Sequence, residues 1–215
     1  MHSKVGLVDR GFRAFTLIEL LVTIAIVAVL AGLILGGSAI VRKRGQQAAS
    51  LNNIRQIGIA FQQYANDNDT RFPAHILSGD KWPRLLQDYL NDQRVYADPT
   101  DRANYLLRKS DPLSNGANNT SFIMNGFNDV GAFQDQSVTV KTVALDSPAN
   151  TIILAPMSRH AGFYMDLDTN DQKNTVNSRQ YPQGSYYAFA DGSARFVNIA
   201  DYRDELWMVH KPQRN

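Results

Sequence analysis

The chain has 215 residues, a formal net charge of +2 and no cysteine. Near-neutrality excludes the basic excess that non-specific nucleic-acid binding needs. The missing thiol excludes disulfides, thiolate zinc sites and cysteine nucleophiles.

Residues 1–14 read as a basic leader, in which Lys4, Arg10 and Arg13 stand against Asp9 and account for the net charge. Residues 15–41, FTLIELLVTIAIVAVLAGLILGGSAIV, form an apolar run with one charge, Glu19. As a helix this run would be roughly 40 Å long at ~1.5 Å per residue. That length can cross a hydrocarbon core of ~30 Å with some tilt. A cleaved secretory signal would use Gly37-Ser38-Ala39 as its small-residue site. The run is longer than the ~7–15 residues of such signals and contains an acid, which speaks against that reading. A plain anchor leaves Glu19 in hydrocarbon, where a carboxylate must snorkel to the interface or meet a partner. Gly36-Gly37-Ser38 would allow close helix approach. Arg42-Lys43-Arg44 follow the run and balance the cations before it, so charge leaves the orientation open.

The string Arg13-Ala14-Phe15-Thr16-Leu17-Ile18-Glu19-Leu20 resembles the processing site of type IV prepilins and type II secretion pseudopilins. The resemblance implies cleavage by a prepilin peptidase between Ala14 and Phe15 and N-methylation of Phe15. Glu19 then becomes the fifth mature residue. The family more often has Gly before the cut, where this chain has Ala14. The resemblance also gives Glu19 an assembly role. Helices in a fibre stack with an axial offset, so its carboxylate can meet the amino terminus of a neighbour. Such a pairing offsets desolvation and favours one axial register. The partners implied are the peptidase, other pilin or pseudopilin subunits, inner-membrane assembly machinery and membrane lipid, with no nucleic acid. The location implied is the inner membrane, single-pass with a periplasmic head, and then the filament. The expected function is a structural subunit of a type IV pilus-like or type II secretion pseudopilus filament, and not an enzyme. The alternative is a membrane-anchored periplasmic binding module that does not polymerise.

Beyond the apolar run the helix is expected to continue over residues 42–67 as an amphipathic half. Ala48, Leu51, Ile54, Gly58, Phe61 and Ala65 recur at spacings of three and four and make one apolar stripe. Residues 66–73, NDNDTRFP, end it. Residues 68–215 form the head. A short helix is expected at 82–90, and strands at 104–107, 121–125, 138–143 and 151–155. The alternation of Val, Thr and Lys in 138–143 predicts a half-buried strand. Residues 185–190 and 193–199 flank Asp191-Gly192 and predict a hairpin with a type I′ turn. A last short element is expected at 204–210. The fold class is α+β and pilin-like: a long N-terminal helix, part transmembrane and part amphipathic, packed on a small antiparallel β-sheet head.

Residues 52–58 (NNIRQIG), 64–68 (YANDN) and 189–193 (FADGS) resemble a group of bacterial pilin-like proteins with a C-terminal His-x9-Asp-Gly box. Asp191-Gly192 fit that box, and Tyr181 stands at the histidine position. Asp166, Asp168, Asn170 and Asp171 space oxygen ligands as calcium loops do. Asp171 stands where such loops carry Gly, and Asn177 where they carry Glu, so a solvated Asn/Asp-rich loop is the competing reading. Calcium is the single cofactor the residues suggest. His2, His75, His160 and His210 are scattered and do not suggest a zinc site. No phosphate loop, His-Glu-x-x-His or Gly-x-Ser-x-Gly motif is present.

Overall fold

The computed structural model describes residues 15–74, 81–101, 120–127, 139–158, 164–165 and 175–210, without the side chains of 33–38 and 164–165. The chain divides into two compact units, Met1–Arg44 and Gly45–Asn215. Helix α1, Leu17–Asp67, contributes to both.

In the first unit the described helical side chains are exposed, including Leu17, Ile18, Leu20, Leu21, Ile24, Val27 and Leu30. A helix apolar on every face is either buried in a large core or surrounded by lipid or other helices. Among the described residues, no helix is long and apolar enough to cross a membrane.

In the second unit α1 becomes one-sided. Ile54, Ile57, Ala60, Phe61 and Ala65 are buried, while Arg55, Ile59 and Gln63 are exposed. Ala48 is exposed and Leu51 half-buried, so the buried stripe starts later than the spacing suggests and takes in Ile57 and Ala60 as well. The helix ends where Asn68 turns back and its side-chain amide donates to the Tyr64 carbonyl at 2.8 Å. Asp69 and Thr70 then take positive φ (52° and 61°), which takes the chain out of the helix.

Five strands form one sheet: β1 Phe122–Asn125, β2 Ile152–Pro156, β3 Tyr164–Met165, β4 Gly184–Phe189 and β5 Ala194–Asn198. Their order is β3-β1-β2-β4-β5. The pairs β1–β2, β2–β4 and β4–β5 are antiparallel, and the short β3 lies parallel to β1. The sheet is therefore antiparallel over four strands, with one parallel edge pair. Every residue of β1 and β2 is buried, as strands covered on both faces require. Alternate side chains divide between two cores. Phe122, Met124, Ala188 and Ala190 join Ile54, Ile57 and Phe61 of α1. Ile123, Tyr187, Phe189 and Val197 face the other way, toward Trp207. Asn125, fully buried, donates to the Ile152 and Trp207 carbonyls at 2.8 and 2.7 Å and accepts from Phe127 N–H at 2.8 Å. It fastens the C-terminal segment to the sheet.

Residues 82–90 do not form one helix. A single turn, α2 Trp82–Leu85, is followed by a 3-10 turn at Gln87–Tyr89. Trp82 and Leu86 are buried, and Trp82 packs on Phe61 (5.5 Å) and Tyr96 (5.7 Å). Nor do residues 139–143 form a strand. Lys141 makes one isolated bridge to Arg71, and Thr142–Ala144 is a 3-10 turn. Val140 is buried and Val143 is 77% exposed; three residues apart, they would lie on opposite faces of a strand, and Val138 lies outside the described residues. The segment is pinned instead to the exit of α1, with Phe72 N–H donating to Val140 O and Thr142 N–H to Thr70 O. The strand expected at 104–107 lies outside the described residues.

Candidate processing and assembly site

The start of α1 is built by its own sequence. Thr16 N–H donates to Glu19 Oε2 at 2.9 Å, the Thr16 hydroxyl donates to the same oxygen at 2.7 Å, and Glu19 N–H donates back to Thr16 Oγ1 at 3.3 Å. This reciprocal arrangement is a capping box, which satisfies two backbone donors that a helix start leaves open. The pattern Thr-x-x-Glu is readable in the string TLIE. The structure supplies part of the compensation from within the chain. Thr23 is also satisfied locally, its hydroxyl donating to the Leu20 carbonyl at 2.8 Å. Phe15 precedes the box and is 71% exposed. Ala14 lies outside the described residues.

The hairpin residues sit elsewhere. β4 and β5 pair from Gly184↔Asn198 to Ala188↔Ala194. Phe189 N–H donates to Ser193 O at 2.8 Å, and Gly192 N–H donates to Phe189 O at 2.9 Å. Gly192 has φ +83°, whereas Asp191 is not among the described residues of positive φ. The connection is therefore a three-residue loop, a type I turn followed by a left-handed glycine, and not a type I′ turn. Asp191, at the second central position of the type I turn, keeps an ordinary φ, and its carboxylate accepts from Ser193 N–H at 2.9 Å and closes the loop locally.

Tyr181 lies before β4 and Asp191-Gly192 after it, so the box positions stand at opposite ends of a strand about 17 Å long. They do not converge on one site. Tyr181 is buried, exchanges backbone hydrogen bonds with Gly184 at 2.9 and 3.1 Å, and packs against Tyr186 and Phe196. Burial pushes its hydroxyl up to about 12. The candidate calcium residues Asp166, Asp168, Asn170 and Asp171 lie outside the described residues, as do His2, His75 and His160. His210 is exposed, with Nδ1 at 3.3 Å from Asp146 Oδ1. Among the described residues, no three His, Cys, Asp or Glu side chains gather as a metal site.

The long helix on a small sheet is an α+β fold of the pilin-like kind. Residues 9–35 match the family described as the prokaryotic N-terminal methylation motif, and this match takes in Phe15, the capping box and most of the apolar run. No curated protein and no solved structure matches the chain significantly.

Proposed function

We propose that the chain is a structural subunit of a pilus-like or type II secretion pseudopilus filament. The methylation motif over residues 9–35 carries this reading. The peptidase cuts between Ala14 and Phe15 and methylates the new amine. The run 15–41 then anchors the subunit in the inner membrane, the head lies in the periplasm, and assembly machinery draws the helix into a filament core. The exposed apolar side chains of α1 fit a segment that exchanges lipid for neighbouring helices.

Mass analysis of the N-terminal peptide from native membranes tests the first step. The expected terminus is N-methylated Phe15; an intact Met1, or a terminus near residue 40, overturns it. The assembly step has its own test, because the capping box separates two roles of Glu19. Gln serves a capping box nearly as well as Glu but carries no charge for a neighbour's amine. Glu19→Gln is therefore expected to keep the protein folded and membrane-bound while cross-linked multimers disappear. The local satisfaction of Glu19 by Thr16 favours the second reading, an anchored module that does not polymerise. Unchanged multimers in Glu19→Gln would refute charge pairing, and no multimers even in wild type would select that second reading.

A further inference from the structure

One long stretch of α1 carries a single sign of charge. Between Glu19 and Asp67 the helix holds no acid, and its cations are Arg42, Lys43, Arg44 and Arg55. Arg42, Lys43 and Arg44 follow the apolar run directly, and all three are exposed. Among the described residues no carboxylate forms an ion pair with any of them. Successive helical residues turn by ~100° and rise by ~1.5 Å. The three side chains therefore leave the helix at nearly one level and cover more than half of its circumference, as a collar and not a stripe. Ile40 and Val41, 61% and 70% exposed, precede the collar without a gap. Within two residues the helix surface changes from apolar to cationic. Packing in the second unit begins only later, with Ser50 the first described residue of α1 to be buried.

A cation on a helix surface is ordinarily offset by an acid three or four residues away, and α1 supplies none here. A partner for this surface must offer negative charge to the collar and hydrocarbon to Ile40 and Val41 at once. Inorganic phosphate offers only the charge, and the same stretch of a second copy would set cations against cations. An anionic phospholipid offers both, its phosphate at the collar and its acyl chains along the apolar residues before it. We propose that Arg42, Lys43 and Arg44 bind the headgroups of anionic phospholipids, of the phosphatidylglycerol kind, where α1 leaves the bilayer. Each arginine can take a phosphate through two parallel N–H donors, and Lys43 adds a point charge. Attraction to an anionic surface strengthens binding roughly five-fold for each such cation. The proposal rests on the membrane anchoring through residues 15–41 stated above. Cleavage before Phe15 removes Lys4, Arg10 and Arg13, so the collar is then the cationic cluster that flanks the run. It holds the helix at one depth, and its lipid contacts must be given up when the subunit is drawn out of the bilayer.

The test uses the full chain in phosphatidylcholine vesicles that carry a trace of spin-labelled phosphatidylglycerol or of spin-labelled phosphatidylcholine. The fraction of label slowed by contact with protein gives the relative affinity for the two lipids. Phosphatidylglycerol is expected to be favoured several-fold, falling towards parity in about 0.5 M sodium chloride, where the screening length is only a few ångströms. Arg42→Gln, Lys43→Gln and Arg44→Gln together keep good helix formers in place and remove the charge. This triple variant should lose the preference while still floating with the vesicles. Arg42→Lys with Arg44→Lys should retain most of it, as should Lys4→Gln, Arg10→Gln and Arg13→Gln in the leader. Equal affinity for the two lipids in wild type overturns the collar and leaves the anchor standing, because flotation reports the anchor separately. If multimers are then lost in the triple variant, the collar belongs to a contact with a second copy instead. A preference that survives the triple variant puts the anion contact elsewhere and also overturns the proposal. A chain that does not float with vesicles refutes the anchor and the collar together.

Discussion

Gly192 shows how much one backbone angle can demand. At φ +83° an L side chain meets its own backbone, and a Cβ there would also stand 3.2 Å from Gln62 Cγ. Gln62 is itself engaged, donating from its amide to the Ala190 carbonyl. Gly192→Ala is therefore expected to lower unfolding stability by about 1–2 kcal/mol in urea titration. A neutral substitution would mean that the loop can adopt another turn at no cost. Asp191 contributes differently, through its carboxylate bond to Ser193 N–H. The pair Asp-Gly announced a turn, but two residues cannot say whether the loop holds two residues or three. That depends on where the strands on either side stop pairing. At the other end of the chain, Thr16 and Glu19 form a contact that needs no tertiary partner, which is why a four-residue string was enough to contain it.

At the scale of elements, the contact of α1 with the sheet turns on Gly58. A Cβ at this position would lie 3.1 Å from the Ala188 Cβ of β4. Glycine opposite alanine lets helix and strand backbones approach closely. Spacing marked Gly58 as one of an apolar stripe, whereas its contribution is the absence of a side chain. Gly58→Val would push the helix off β4, and the expected loss is about 1–3 kcal/mol by urea unfolding. No loss at all would show that the helix can slide to make room. Around this point Phe61 packs on Phe72 (6.2 Å) and Trp82 (5.5 Å), and Phe72 stacks on Phe127 (5.9 Å). Three of these rings lie within about two dozen residues of one another, and Phe127, after β1, comes from further along the chain.

For the molecule as a whole, the second unit buries many phenols. Burial raises Tyr181 and Tyr202 to about 12 from the ordinary 10.0, and raises Tyr96 and Tyr187 further still. Tyr96 donates its hydroxyl to the Pro83 carbonyl, and Tyr202 accepts from Trp207 Nε1, both at 2.8 Å. Each folded-state value lies above the unfolded one, so the fold favours the neutral phenol. The stability linked to these groups is complete below about pH 10 and is lost as pH rises from there through 12 and beyond. Urea midpoints are expected to be unaffected by these phenols between pH 8 and 9 and to fall steeply from pH 10 to 11. A level profile across pH 10 would contradict the burial of these side chains.

Periodicity and short-range chemistry, which a linear string contains, determined several features of this protein. The apolar run, the long helix and its end, the buried strands at 122–125 and 152–156, the β4–β5 hairpin and the methylation motif were all legible in it. Each depends on residues within a turn or two of one another. Tertiary structure alone decided the rest. Residues 139–143 carry part of an alternating pattern, but they form one bridge and a 3-10 turn pinned by hydrogen bonds to the exit of α1, so tertiary contacts overrode pattern. The parallel pairing of β3 with β1 and the close approach at Gly58 depend on which distant segments become neighbours. A sequence lists the side chains that can be buried or left without a partner; the folded chain settles which of them are, because desolvation and packing act between groups adjacent in space.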